Sequence, residues 1–352
     1  MKLFKCQSCG ETLYFENRIC GNCGHRLGYL PEQATLSALD ADGGVWKAGA
    51  EPARRYVFCA NEVYDVCNWL VPADGGAALC MSCNHNRTIP DLTIEENLVR
   101  WRKIEIAKHR LIYSLLQLRL PIDNRLHEAN GLAFDILSTP AQPHVKPVLT
   151  GHDNGVITLA LEEADDARRE QVRLEMKEPY RTLLGHFRHE IGHYYWDKLV
   201  SSTEFLEPCR ALFGDDREDY GAALAAHYEN GPPANWQENF VSAYASTHPW
   251  EDFAETWAHY LHIVDTLEVA GAFGLQLRPR VDKQGTLGAV IDFDPYRASA
   301  LNKLLDSWLP VSFALNNLNR SMGLGDLYPF ILSPKVIEKL EFIHNVIHAP
   351  RD

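Results

Sequence analysis

The five residues His189-Glu-Ile-Gly-His193 constrain this chain more than any other stretch, because they can do chemistry together in only one conformation. In an α-helix of about 3.6 residues per turn, the two imidazoles lie one turn apart on one face and can bind one metal ion, with Glu190 beside them. The surroundings read as a helix: Pro179 suits a first-turn position, and no further proline occurs before Pro208. On a helical wheel Leu183, Leu184, Phe187, Ile191, Tyr194 and Tyr195 form an apolar stripe, whereas His186, His189, Glu190, His193 and Asp197 form a polar one. One face therefore packs and the other reaches the metal. Gly185 and Gly192 fall on a third side, where the missing side chains let a neighbouring strand or a substrate come close. The competing explanation is a chance match on a solvated face in a chain with 15 histidines, and a third ligand further on argues against it.

Nine cysteines accompany these histidines, and eight fall into two clusters built on Cys-x2-Cys pairs. In residues 1–28, Cys6-Gln-Ser-Cys9-Gly and Cys20-Gly-Asn-Cys23-Gly read as a zinc ribbon. The glycine after each pair permits a tight turn around the metal, and zinc supplies the folding energy that so short a module cannot obtain from burial. Residues 29–50, with the turn-like Asp42-Gly-Gly44, read as a linker. Residues 51–92 form a second zinc module on Cys59, Cys67, Cys80 and Cys83, with His85 as a substitute ligand and buried packing cysteines as the alternative. The first residues contain no signal-peptide core, so metal is preferred over disulfides and a cytoplasmic location is expected. No apolar run approaches the roughly 20 residues of a membrane span. The formal charge of −13 argues against nucleic-acid binding.

The remainder, 93–352, reads as one large domain. Residues 93–120 repeat apolar side chains at helical spacing until Pro121, and 131–137 and 155–161 are short β-type runs, the second preceded by the turn-like Gly151-His-Asp-Asn-Gly155. A small sheet ahead of the histidine helix is expected. If the second run is an edge strand, an extended peptide can pair with it. Residues 162–178 read as a charged, solvated helix and 213–220 as an acidic surface without a chemical role, with Cys209 a packing residue. Further on, Pro249 starts a helix bearing Glu251 and Glu255 one turn apart, together with Ala258, His259 and His262, opposite a packing side of Phe253, Trp257 and Leu261. A carboxylate from it is a good third metal ligand that leaves a fourth position for water, and spacing alone leaves Glu251 and Glu255 open. Helical segments at 298–308 and 333–347 read as scaffold.

With both helices assigned, the chain resembles a bacterial family of zinc-binding metallopeptidases with an N-terminal zinc ribbon, through the two cysteine clusters, Arg188-His-Glu-Ile-Gly-His-Tyr-Tyr-Trp196 and His248-Pro-Trp-Glu-Asp-Phe-Ala-Glu-Thr-Trp-Ala-His-Tyr260. The two catalytic segments are also similar to the gluzincin-type protease domain of anthrax lethal factor, where Glu-x-Phe-Ala-Glu follows an active-site tyrosine. That resemblance implies Glu251 as the zinc ligand and Tyr244 as the tyrosine. Glu255, one turn on, is placed to fix the tautomer of a ligand histidine.

The expectation is thus an α+β, mostly helical chain: a zincin-like domain preceded by two four-cysteine modules. It holds one catalytic zinc and one or two structural ones. It hydrolyses a protein or peptide substrate through metal-activated water, with Glu190 as general base and Tyr244 stabilising the oxyanion. The rival is a non-catalytic module that recruits a protein partner through its zinc ribbons around a structural metal site. Neither reading calls for a membrane or a nucleic acid.

Overall fold

The computed structural model describes residues 2–139, 147–176 and 178–351, in two compact units that divide between Arg169 and Glu170. The fold is α+β. In the first unit, β1 (Phe4–Lys5) pairs with β2 (Thr12–Leu13), and a five-stranded antiparallel sheet follows in sequential order. Its strands are β3 (Arg26–Leu30), β4 (Thr35–Asp42), β5 (Val45–Ala48), β6 (Glu51–Phe58) and β7 (Leu70–Pro72). Residues 29–50 are therefore not a linker. Leu36, Ser37, Ala38 and Leu39 are buried in succession, so both faces of β4 are covered and the polar-apolar alternation that marks a half-exposed strand is missing. Asp42-Gly-Gly44 is a turn, but one that joins β4 to β5, with both glycines at positive φ.

Phe15, Tyr29, Trp69 and Tyr113 make the aromatic core of this unit, with ring centroids 4.8 Å apart for Phe15–Tyr29 and Tyr29–Trp69 and 5.3 Å for Phe15–Tyr113. Such pairs contribute about 0.5–1.5 kcal/mol each beyond their burial. Tyr113 belongs to α1 (Glu95–Gln117), so the ribbon and the sheet share a core with the long helix. A second sheet has the order β10 (Gly151–Asp153), β11 (Val156–Ala160), β9 (Ala133–Leu137) and β8 (Asn86–Thr88). The pairing of β8 with β9 bridges the boundary expected at residue 92. Because β11 is hydrogen-bonded on both sides, by β10 and β9, it is not an edge strand and cannot receive an added peptide strand. Asn154 and Gly155, both at positive φ, form the hairpin turn between β10 and β11, while Gly151–Asp153 is itself a strand.

The chain passes into the second unit along α2 (Asp166–Glu175). Then come α3 (Leu183–Leu199), α4 (Leu206–Phe213), α5 (Tyr220–Asn230), α6 (Trp236–Asn239), α7 (Pro249–Ala272), α8 (Leu301–Ser321) and α9 (Pro334–His348). α8 runs on through Pro310 instead of stopping there. The centre is α7, against which α3, α4, α8 and α9 pack. It is buried nearly all round, since Asp252, Thr256 and His259 are as enclosed as Phe253, Trp257 and Leu261. Two of its buried charges form ion pairs with neighbouring helices: Asp252 with Lys339 of α9, and Asp265 with Arg188 of α3. Removing one partner of such a pair typically costs about 3–5 kcal/mol. Among the described residues, no helix is long and apolar enough to cross a membrane.

Candidate metal centres

The histidine helix starts later than its sequence suggests. Thr182 is the N-cap of α3, and its hydroxyl accepts the Gly185 amide at 3.0 Å, leaving Pro179 outside the helix. Gly192 faces α7, neither a strand nor a substrate: a Cβ built on it would stand 2.9 Å from Ala254 Cα and 3.2 Å from the Ala254 carbonyl oxygen. The absent side chain lets α3 and α7 approach closely just beside His189, His193 and Glu251. Gly185 has a different neighbour, the Tyr180 ring and the Thr182 cap. At the start of α7, Pro249 occupies the first turn and His248 is the N-cap, its Nδ1 accepting the Trp250 amide at 3.1 Å.

These two helices bring His189 Nε2, His193 Nε2 and Glu251 Oε2 together, with separations of 3.1 Å between the two nitrogens, 3.0 Å from His189 to Glu251 and 3.5 Å from His193 to Glu251. Donors about 2.0–2.2 Å from a tetrahedral zinc stand about 3.3–3.6 Å apart, so the set has nearly the right size for that ion. Glu251 is 2% exposed, and its Oε2 has no hydrogen-bond donor among the described residues although two ring nitrogens face it. A buried carboxylate oxygen in that setting fits a cation.

The groups around the triad are polar and ordered. His189 Nδ1 lies 2.7 Å from Glu255 Oε1, and the Ser242 hydroxyl donates to Glu255 Oε2 at 2.6 Å. Glu190 is buried, which raises its carboxyl pKa, an effect opposed by the imidazoles and reinforced by Glu251 and Glu255. Tyr244, on the 3-10 turn Tyr244–Ser246, has its ring centroid 5.9 Å from that of His189. Burial, then the charge of Glu251, pushes its hydroxyl far above the usual phenol range, so it stays a donor. Trp250 lies against His193 with ring centroids 3.8 Å apart. Tyr220 donates to Glu251 Oε1 at 2.8 Å, which corrects the reading of 213–220 as chemically silent. No spacing rule reaches Tyr220, which is 27 residues beyond His193 on a different helix. Ser242 could have been sought as a hydroxyl two residues before Tyr244. His259 is occupied elsewhere, its Nδ1 2.7 Å from the Tyr328 hydroxyl, and His262 Nδ1 lies 2.6 Å from Arg188 Nη1.

All nine cysteines are free thiols, and eight lie in the two clusters read from sequence. In the first, Cys6–Cys23 and Cys9–Cys20 sulfurs are 3.6 Å apart, near the roughly 3.8 Å edge of a tetrahedral zinc–thiolate shell. Gly10 and Gly24 sit at positive φ and donate to the carbonyls of Cys6 and Cys20, closing each knuckle. In the second, wholly buried cluster, Cys67 and Cys80 sulfurs are 3.7 Å apart. The amides of Trp69, Cys80 and Cys83 donate to the sulfurs of Cys67, Cys59 and Cys80. His85 is not among these ligands: its two ring nitrogens face the carbonyls of Met81 and Ile122, at 2.8 and 3.0 Å. The neighbour that sequence missed is α1, which sets His109 Nε2 3.4 Å from Cys67 Sγ and buries the Glu105–Lys108 pair alongside, at 2.8 Å. Cys209 is buried outside both clusters.

Two helices that converge a pair of histidines one turn apart with a distant glutamate form the HExxH-plus-glutamate arrangement of zinc metallopeptidases. The family model described as "Putative zinc-binding metallo-peptidase" matches residues 97–346, and the chain belongs to that family. A zinc-ribbon domain model matches residues 3–94. The chain is also 46% identical to uncharacterized proteins of Mycobacterium bovis and Mycobacterium tuberculosis H37Rv, over 349 residues that cover 99% of this chain and 95% of each relative. No solved structure matches it.

Proposed function

We propose that this chain hydrolyses peptide bonds in protein or peptide substrates at a zinc ion held by His189, His193 and Glu251. The observation that carries this reading is the buried Glu251 Oε2, which lacks a hydrogen-bond donor and faces two imidazole nitrogens. Zinc supplies a Lewis acid there that polarises a carbonyl and makes water acidic near neutral pH. His189 offers Nε2 because its Nδ1–H is committed to Glu255, which Ser242 holds in place. Glu190 takes a proton from the attacking water and hands it to the leaving amine, a transfer suited to a carboxyl whose pKa burial has raised. Tyr244 donates its hydroxyl to the oxyanion of the tetrahedral intermediate, the role implied by the similarity to the lethal factor protease domain. The two four-cysteine groups hold structural zinc, since four thiolates leave no position for water.

The test compares the purified chain with Glu190→Gln after incubation with a cell lysate, reading new protein termini by mass spectrometry. Wild type should generate termini that are absent with Glu190→Gln, a loss of about 10²- to 10⁴-fold, while bound zinc stays equal. Equal cleavage by both proteins would end the proposal.

A further inference from the structure

Tyr220 opens α5, a helix none of whose residues is buried, and is itself 37% exposed. Its hydroxyl nevertheless reaches a side chain that is 2% exposed, the candidate third ligand Glu251. The hydroxyl bonds Oε1, whereas Oε2 is the oxygen that faces His189 and His193. A carboxylate can only accept, so Tyr220 is the donor to Glu251.

The approach to α5 is tethered to the same place. With its Nδ1 accepting from the Trp250 amide, His248 carries its proton on Nε2 and donates it to the Glu218 carbonyl at 3.1 Å. Asp219 caps α5 through the Ala222 amide at 2.9 Å, and the Tyr220 ring meets the His248 ring edge-on at 5.4 Å. An otherwise exposed helix thus has its first residue fixed over the start of α7.

We propose that Tyr220 is a positioning residue that restricts Glu251 to binding metal through Oε2 alone. The inference rests on the zinc reading above. Were both carboxylate oxygens free to bind, the second would take up the position that substrate needs; a phenol on Oε1 prevents this and fixes the direction of Oε2.

Competition for zinc by a chelator, followed with a metal-sensitive dye on the full-length chain, tests this without any substrate. The step that disappears in His193→Ala identifies the zinc of this centre. In Tyr220→Phe that step should shift to about 10-fold lower chelator, while the zinc of the four-cysteine sites leaves as in wild type and reports an intact fold. Tyr244→Phe, which leaves the bond to Glu251 in place, should not shift it. A shift in Tyr220→Phe but not in Tyr244→Phe supports the assignment. Wild-type behaviour of Tyr220→Phe, with the His193-dependent step present, overturns it and leaves the zinc reading standing. If no step depends on His193, the zinc reading fails and this proposal goes with it.

Discussion

The buried four-cysteine group and the His-His-Glu group are both clusters of donors small enough for one metal ion, yet their surroundings are opposite. Around Cys59, Cys67, Cys80 and Cys83, backbone amides and His109 are directed at the sulfurs, and the four thiols supply every corner of a tetrahedron. Around His189, His193 and Glu251 the group among the described residues has three donors, and the neighbours are Glu190, whose carboxyl pKa burial raises, two phenols and a second carboxylate. A closed shell with neutralised sulfurs suits folding. Three donors flanked by groups that can hold or release protons suit reaction.

The largest effect that would break this contrast is structural. Cys67→Ser should abolish the cooperative melting of the first unit and expose it to proteolysis, because structural zinc contributes about 10–16 kcal/mol in zinc-finger peptides. His193→Ala should lose one zinc and keep its melting transition. If Cys67→Ser melts like wild type in calorimetry, its cluster consists of packing thiols and the contrast is lost. Next in size is Tyr244→Phe, expected to slow cleavage by about 10²- to 10³-fold with zinc content unchanged; undiminished turnover would remove the tyrosine from the reaction. The smallest concerns the joint between helices. Gly192→Ala forces a methyl against the Ala254 backbone and should lower stability by about 1–3 kcal/mol, read as a lower Tm, while chelator strips zinc from the His-His-Glu centre first. An unchanged Tm would show that α3 and α7 can separate there without cost.

Much of the centre was legible because its parts are local. A one-turn spacing of imidazoles, a proline at the head of α7 and paired cysteines followed by glycine each encode a conformation and a chemistry within a few residues. The candidate third ligand was legible only in part: Glu251 and Glu255 are equally spaced candidates, and the choice between them rested on a family likeness. The structure separates them, with one oxygen of Glu251 on the ring nitrogens and Glu255 behind His189. The sheet over residues 29–50 was not legible, since burial of both faces erases the alternation that reveals a strand. Nor was Pro179 a guide to the start of α3, because a threonine hydroxyl three residues later caps the helix by accepting the Gly185 amide.

From sequence alone one can read that this chain carries candidate metal-binding residue sets on helices and knuckles, because periodicity and turn chemistry act between near neighbours. Which carboxylate completes the set, which glycine lets two helices touch, and that a tyrosine on an exposed helix reaches the far oxygen of Glu251 were decided by tertiary packing, since hydrogen bonds and close contacts between distant segments depend on distances in space that no local spacing records.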